Sequence, residues 1–510
     1  MPAKQDESRT CPGESKSISW AICKTRQRNQ YPKCLLCPLR DPEVAGSAPT
    51  DPKVSTSIFR ATAVLGRAPK DVNAYVLGKV GLAAAQYLRA QSPSSSRLVV
   101  GCDLRGSSRG FSRAFAEGVN KGGMDVVGAG AVPPEVLGFL LGSDGYVGAA
   151  FIGGGSHAES VNGVRLWDSD GTPVSFGAGL EKVGLIARRL RVGRSRLPGG
   201  MREIDPMGDY APYVQKFAPN MGQIKLFLDT GGGLAGRALR AVLAQLPVET
   251  VGADLDAEDG GALLGKMFPA QETVASVRSA LRRTGAHCGA AFDFSAERVV
   301  FFDEAGNLLR HDVAAGFIAT ELLMRTPGGS VTFDLRSSAA LGDRVAEAGG
   351  QAVSAPTGQT AFARHFRRND ALYGADATGL HYFRDFFHFP SPFLALLIFC
   401  CHLSRRKEPA SELAAELDRF SRSGEVVLEL PSADLAQTVL TRVRDEFQDA
   451  RRELIDGLTV RTANWWFNLR QPGKKAEFRL NVEGRTTQDV RSGRQAVERL
   501  VQKAIGEATS

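Results

Sequence analysis

The chain has 510 residues, 43% of them hydrophobic and 23% charged, which is ordinary for globular protein and long enough for a large core in about three or four domains. Its formal charge of +8 and pI near 9.1 are a mild excess at this length: they suit an anionic ligand, and with no aromatic-and-basic stripe to track a single strand, no nucleic-acid partner is expected. No membrane partner is expected either, because the most apolar stretch, 386–403, holds two prolines, two histidines and a serine, and its clean part, 393–401, is half a span.

Residues 1–55 are polar, Pro-rich and aperiodic, and are expected to be disordered. Acidic residues come early and no signal-peptide core follows. The segment holds four of the eight cysteines. Cys34 and Cys37 have metal-ligand spacing, but Cys11 and Cys23 are twelve apart, a poor zinc pattern. Cys102, Cys288, Cys400 and Cys401 lie in apolar contexts and read as core, which favours a reducing, cytoplasmic setting.

Order begins near SIFRATAVLG. Helical spacing runs over 71–90, a buried strand over 97–103, a helix over 108–123, a strand over 124–130, a helix over 133–145 and a strand over 146–152. This β-α-β-α-β order predicts parallel strands with right-handed crossovers. The pattern restarts with a strand into a glycine turn (225–233), a helix (234–246), strands over 248–254 and 287–293 and a helix over 272–284 between them. It restarts again with a helix over 312–324, a strand over 330–336, a helix over 338–350 and a strand over 351–356. The end differs: strands over 424–430, 457–470 and 477–485, with helices over 435–453 and 491–504. The expectation is α/β: three similar α/β domains with mixed sheets around a cleft plus a C-terminal α+β domain, divided as 56–205, 206–306, 307–415 and 416–510. Stretch 386–403 is expected to be a buried helix.

Sites in such folds lie at the carboxyl ends of strands. Three stretches fall there: GGGSHAESVNGVR (153–165), AFDFSAER (291–298) and YGADATGLHYF (373–383). Three successive glycines after a buried strand mean a sharp turn or a close neighbour.

With VVGCDLRGSS (99–108) and DGLTVRTANWWFNLRQPGKKAEFRLNVE (456–483), these motifs resemble, in order, five motifs of the α-D-phosphohexomutase superfamily, which includes phosphomannomutase/phosphoglucomutase. The resemblance runs from about Ile58 to the C-terminus. It implies phosphoryl transfer between O1 and O6 of a hexose phosphate, through a phosphoserine at Ser156, with Mg²⁺ as cofactor and a hexose 1,6-bisphosphate as activator. Carried over, the catalytic residues are Ser156, His157, Arg165 and Arg336. The metal ligands are Ser156, Asp293, Ser295 and Glu297. Arg298, Asp376, Thr378, Arg470, Lys474 and Lys475 bind substrate. The partner is a small phosphosugar, and the protein is a monomer or homodimer.

The chain also departs from the family pattern. The metal loop has three aspartates alternating with glycines in the family; here Asp293, Ser295 and Glu297 alternate with Phe294 and Ala296, which predicts weaker magnesium binding. Asp376 and Thr378 replace a Glu and a Ser, Leu380 replaces the loop histidine, and His381 comes one place late. After Arg470 the hydroxyl donors give way to Gln471, Pro472, Gly473, Lys474 and Lys475, point charges rather than a cradle. Near the start, 62–66 lacks the family tyrosine and arginine. Arg336 stands for a lysine and stays charged, and Gln359 replaces a histidine, so neither moves protons. Two functional readings follow: an active, divergent phosphohexomutase, or a degenerate relative that binds a phosphosugar or other anion without turnover. A third, nucleotide binding at GGGLAG (231–236), has the wrong glycine spacing, and a tight strand-to-helix turn explains it better.

Overall fold

The computed structural model describes residues 8–11, 16–28, 34, 37, 41, 54–92, 96–190, 198–252, 255 and 264–509. The chain forms two compact units, residues 1–132 with 143–205, and residues 133–142 with 206–510.

The first unit opens with an antiparallel pair, β1 (Ser8–Thr10) and β2 (Ser17–Ser19), and a helix, α1 (Trp20–Arg28). This corrects the expected disorder for those residues; the rest of the 1–55 expectation lies largely outside the described residues. Then come β3 (Val64–Arg67), α2 (Ala74–Gln91), β4 (Arg97–Cys102), α3 (Ser108–Lys121) and β5 (Asp125–Ala131). After the helix α4 (Pro134–Asp144) follow β6 (Gly148–Ile152), β7 (Val161–Asp168), α5 (Leu180–Arg189) and β8 (Met201–Glu203). The sheet order is β3-β7-β6-β4-β5-β8. Strand β4 is parallel to β5 and β6, and β8 is parallel to β5, as the alternating pattern requires. β7 runs back beside β6, and β3 runs antiparallel to β7. The sheet is therefore mixed, because a hairpin leaves the serine loop where a crossover would keep it parallel. Helix α2 buries Leu77, Val80, Ala84 and Leu88 at helical spacing against this sheet.

The second unit holds three sheets. The first takes α6 (Met207–Gln215), β9 (Ile224–Asp229), α7 (Ala235–Leu243), β10 (Val248–Val251), α8 (Gln271–Thr284), β11 (Cys288–Phe292) and β12 (Val299–Phe302), with strand order β10-β9-β11-β12. The next takes α9 (His311–Arg325), β13 (Ser330–Asp334), α10 (Ala339–Glu347), β14 (Gln351–Ala355), α11 (Gln359–Arg368), β15 (Tyr373–Ala375), β16 (His381–Phe383) and β17 (Phe389–Pro390), in order β14-β13-β15-β16-β17. In both, parallel strands end in antiparallel turns at the acidic and sugar-type loops. Helix α12 (Pro392–Arg406) is buried from Pro392 through Leu403, as expected of a core helix, but the expected start at 386 is corrected: Phe386 ends a 3₁₀ turn and Phe389–Pro390 pairs as β17, and the helix begins at the proline that suits its first position. Among the described residues no helix is long and apolar enough to cross a membrane.

After α13 (Ala410–Leu417) comes an all-antiparallel sheet: β18 (Ser421–Glu429), β19 (Arg451–Glu453), β20 (Leu458–Arg461), β21 (Trp465–Arg470) and β22 (Glu477–Gly484), ordered β18-β22-β21-β20-β19. Helices α14 (Ala436–Asp445) and α15 (Thr487–Thr509) cover it. Two expectations are corrected. The helix expected over 435–453 stops at Asp445, and Arg451–Glu453 pairs as an edge strand. The single strand expected over 457–470 is a hairpin, turned where Thr462 bonds Trp465.

Helix α4 packs in the second unit through residues 133–142, although β5 and β6 flank it in sequence. A Cβ at Gly138 would lie 2.5 Å from the Phe389 ring. Glu135 is 2% exposed and accepts from the hydroxyls of Tyr210 and Ser391 (3.1 Å to Ser391).

Candidate active site

Ser156 sits in the loop between β6 and β7. A neighbouring guanidinium shapes that loop. Arg105, from the β4–α3 turn, is buried. Its Nε donates to Asp103 Oδ2 at 2.9 Å. Its Nη1 donates to the Ala158 carbonyl (2.7 Å), and Nη2 to those of Gly155 (2.7 Å) and His157 (2.9 Å). Asp103 also accepts from Gly154 N–H at 3.1 Å and from the Ser108 hydroxyl. The Asn162 amide donates to the hydroxyls of Ser107 (2.7 Å) and Ser108 (2.9 Å). A fork of donors on three carbonyls of one loop, on either side of Ser156, fixes it as no single hydrogen bond could.

The glycines now have their reason. A Cβ at Gly153 would lie 2.5 Å from Asp103 Oδ2, and one at Gly154 would lie 2.6 Å from Arg105 Cζ. Gly155 is left-handed, at φ +56°. The triplet makes room for the Asp103–Arg105 clamp. Ser156 is left exposed, its hydroxyl without a hydrogen bond among the described residues. His157 Nδ1–H donates to the Gly154 carbonyl (2.9 Å), which leaves Nε2 as the basic nitrogen. Arg165, on β7, lies over the rings of Phe151 (5.3 Å) and Trp167 (5.4 Å), on the face of the sheet.

In the second unit the acidic loop turns tightly after β11. Asp293 accepts from the backbone N–H of Glu297 (2.8 Å) and Arg298 (3.3 Å). Burial first, then the Glu297 charge, push its carboxyl up to about 6, against the pull of Arg298. Ser295 is 1% exposed, and its hydroxyl has no partner among the described residues. Ala296 adopts φ +50°, a left-handed angle that costs an L residue about 1–2 kcal/mol. Two repelling carboxylates and an orphaned hydroxyl on one turn are hard oxygen donors of the kind magnesium takes. They fit a divalent cation, with one carboxylate fewer than the family pattern. Among the described residues, no three His, Cys, Asp or Glu side chains form a metal cluster.

The glycine turn at 231–236 packs on this loop. Leu234 N–H donates to the Phe294 carbonyl at 3.0 Å, and a Cβ at Gly233 would collide with the same carbonyl. That contact, rather than a nucleotide, accounts for GGGLAG.

Acidic and sugar-type loops touch: Val299 N–H donates to the Gly379 carbonyl at 3.1 Å. Asp376 and Thr378, expected to hold sugar hydroxyls, bond one another. Asp376 Oδ1 accepts from the Thr378 N–H (2.8 Å) and hydroxyl (2.7 Å) and from Leu380 N–H (3.1 Å). His381 is buried in β16, its Nδ1 2.6 Å from the Tyr373 hydroxyl. Arg336 is held by Asp334, which accepts from its Nε at 2.9 and 3.1 Å and also lies 3.4 Å from Ala377 N. Arg470, expected to bind phosphate directly, is 8% exposed and paired with Glu425 at 2.8 Å, with Arg479 on the other carboxylate oxygen. Lys475 lies 3.7 Å from Glu477. Lys474 is exposed and unpaired among the described residues. Arg298 is half-buried beside Asp293. The reading of the residues missed Arg105, Asp103, Asp334 and Glu425. The first two stand inside CDLRGSS and the third ends SVTFD, so the polar residue after each buried strand was the available signal; Glu425 gave none.

A clamped, exposed serine at the end of one mixed α/β sheet, with acidic and sugar-type loops at the ends of two others, defines a multidomain phosphosugar-mutase fold. Comparison with known proteins agrees. The description "Phosphoglucomutase/phosphomannomutase, alpha/beta/alpha domain I" matches residues 56–178, and that for domain III matches residues 311–420. A phosphomannomutase of Escherichia coli strain K12 is 28% identical over 446 residues, 84% of this chain and 94% of its own. A probable phosphoglucosamine mutase of Pyrococcus horikoshii is 24% identical over 440 residues, 85% of this chain and 95% of its own. Among solved structures, a phosphoglucomutase/phosphomannomutase family protein of Burkholderia thailandensis superposes with a TM-score of 0.79 at 23% identity, over 88% of this chain and 98% of its own. An Aspergillus fumigatus N-acetylphosphoglucosamine mutase, in complex with GlcNAc-6P and magnesium, has the same fold (TM-score 0.56, 13% identity, 88% of this chain and 96% of its own). In sequence and in fold the chain is similar to members of the α-D-phosphohexomutase superfamily.

Proposed function

We propose that this chain is a phosphohexomutase that moves a phosphoryl group between O1 and O6 of a hexose phosphate through a phosphoserine at Ser156. The observation that carries this is the serine itself: exposed, unpartnered among the described residues, and set on a backbone that Arg105 locks. Phosphoryl transfer asks a protein chiefly for alignment and charge neutralisation. In the first half-reaction a sugar hydroxyl attacks the Ser156 phosphate. The new phosphorus–oxygen bond forms as the bond to Ser156 Oγ breaks; the sugar hydroxyl gives up its proton and the serine oxygen takes one up. His157 Nε2 is the group that moves these protons, because Arg336 and Gln359 cannot. The bisphosphorylated sugar then returns its other phosphate to Ser156.

Asp293, Ser295 and Glu297, with Ser156, are the residues that would hold Mg²⁺ in this reading. The ion supplies positive charge to the transferring phosphoryl oxygens. Arg298 adds fixed charge beside it, Asp376 and Thr378 release their mutual bonds to receive sugar hydroxyls, and Lys474, Lys475 and Arg470 attract the non-reacting phosphate. Arg165 and Arg336 stay charged as positioning cations. The work divides over four domains, 56–205, 206–306, 307–415 and 416–510. A hexose 1,6-bisphosphate primes the serine.

The test is to incubate the protein with glucose 1,6-bisphosphate and Mg²⁺, map phosphate on the Ser156 peptide by mass spectrometry, and then assay 1-phosphosugars for mutase turnover. Phosphate on Ser156 that disappears with chelator, together with turnover, is expected. An unmodified serine in folded protein, with phosphosugar binding but no turnover, would establish the degenerate reading instead.

A further inference from the structure

The first unit has a second charged cleft that the mutase reaction does not use. Its volume is about 890 Å³, and it lies beside the carboxyl ends of β4 and β5, walled by the first turns of α3 and by the edge strand β8. Open α/β sheets hold their ligands at that end of their strands. The serine loop leaves β6, on the other side of β4, and Ser156 does not line the cleft. Small-molecule sites occupy about 300–1,000 Å³, so the space suits a whole organic molecule.

Three charged side chains line it from two walls. Arg109 and Arg113 stand one helical turn apart on the same face of α3. Glu203 comes from β8. A Cβ at Gly128 would lie 2.3 Å from Glu203 Oε2, so this carboxylate rests against the β5 backbone at the cleft floor. Among the described residues none of the three side chains has an ion pair or a hydrogen bond. The contrast with Arg105 is close at hand: four residues before Arg109, it commits all three guanidinium nitrogens to the fold. Cys102 also lines the floor, and burial, then the Asp103 charge, push its thiol up to about 11, so it carries no charge at neutral pH.

The backbone keeps the space open. Strand β5 has an extra residue, Ala129, where its register on β4 shifts from Val100–Gly128 to Gly101–Gly130, and such bulges bend a strand at the rim of a site. Gly106 and Gly110 border the cleft, and a Cβ at either would meet nothing within 4 Å. Gly110 lies inside α3, where glycine weakens a helix relative to alanine. No part of the chain packs on these two positions, so their bareness serves an approach from outside.

We infer that this cleft binds a phosphorylated small molecule that also carries hydroxyl groups, with Arg109 and Arg113 together on its phosphate and Glu203 accepting from its hydroxyls. Guanidiniums present paired donors to phosphate oxygens, and two on one helix face offset its double charge. The carboxylate opposite gives selectivity: it repels a bare anion and favours an organic one whose hydroxyls reach it.

The experiment uses the full chain and phenylglyoxal, an arginine reagent. Peptide mass spectrometry reads each arginine separately, so binding here is distinguished from binding near Ser156. Glucose 1-phosphate, ADP, inorganic phosphate and sodium chloride are compared at matched ionic strength, the first two separating a sugar phosphate from a nucleotide. The organic phosphate that fits is expected to slow modification of Arg109 and Arg113 about fivefold at about four times its Kd. Inorganic phosphate should protect less, and the exposed Arg283 on α8 should react at one rate throughout. Glu203→Ala is expected to erase the advantage of the organic phosphate. Protection no greater than that of sodium chloride, equal protection of Arg283, inorganic phosphate protecting as well as the organic ones, or an advantage that survives Glu203→Ala would each overturn the proposal.

Discussion

Replacing Glu135 by Gln removes a buried titration from the structure. Glu135 is 2% exposed and receives the Tyr210 and Ser391 hydroxyls and, at 3.5 Å, the Phe393 N–H. Burial nevertheless dominates and pushes the carboxyl from 4.5 up to about 8, against those three bonds. In the unfolded chain the group ionises near 4.5. A raised folded value means the folded state holds the proton longer, so this group's contribution is fully present below pH 4.5 and is lost as pH rises towards 8. At ~1.36 kcal/mol per pH unit, the loss is about 3 kcal/mol by pH 7 and approaches 5 kcal/mol at pH 8, both ceilings that relaxation lowers. The Glu135→Gln side chain keeps the shape and never ionises. The variant should match wild type near pH 4.5 and exceed it increasingly up to pH 8. At roughly 2 °C per kcal/mol for a chain of this size, its melting temperature should lie several degrees above wild type at pH 8. Melting curves of both proteins at half-unit pH steps measure this. A difference that stays constant with pH would show that Glu135 is ionised in the folded state, and the argument would fail.

Four further outcomes are expected. Arg105→Ala should release the serine loop and lower kcat by about 10²-fold or more with little change in KM, and Arg105→Lys should rescue little of it because one ammonium cannot span three carbonyls; near-normal kcat would contradict the clamp. Ala296→Gly should relieve about 1–2 kcal/mol of left-handed strain, offset by about 0.4–1 kcal/mol of unfolded-state entropy, so denaturation should show a small net gain in stability, where a clear loss would refute the strain. Ser295→Asp should raise Mg²⁺ affinity in calorimetry several-fold and lower metal-free stability at neutral pH by adding a buried carboxyl beside Asp293 and Glu297; unchanged affinity would remove the loop from the metal site. Glu425→Gln should free the Arg470 guanidinium and lower KM for a phosphosugar several-fold, whereas a raised KM would mean the pair itself shapes the site.

Much of the fold could be read because its signals are local. Leu98–Cys102 and Cys288–Phe292 are runs of apolar or small residues that only a doubly covered strand tolerates, and the helices next to them in sequence, α3 and α8, show their period. What escaped depends on distant partners. Strand β19 reads as helix, Arg-Arg-Glu following a helical run, and becomes strand only because β20 offers an edge. The three-residue link between β20 and β21, 462–464, hides inside one β-prone stretch, since Thr462 and the following Trp465 are both good strand formers. At the site, residue types were legible and their partners were not. Arg470 reads as a free phosphate ligand until Glu425 is seen 45 positions earlier in the chain, and Asp376 reads as a sugar ligand until its own loop takes its Oδ1. The serine glycines show the same limit: the spelling says that something lies close, and only the structure says that it is Arg105.

Helix α4 has a consequence for how the chain is made. Its glycine face and Glu135 meet Phe389, Ser391 and Phe393, some 250 residues downstream. While the ribosome is still translating, the strands on either side of the helix can already each pair with β4, yet the helix has no cover and its carboxyl is in water. Every nascent chain therefore carries an unpaired apolar helix for the time needed to add those residues, on the order of ten seconds to a minute at ~5–20 residues per second. A gene cut at residue 205 would make that interval permanent. The N-terminal product should then need a chaperone or aggregate, and co-expression of residues 206–510 should rescue it.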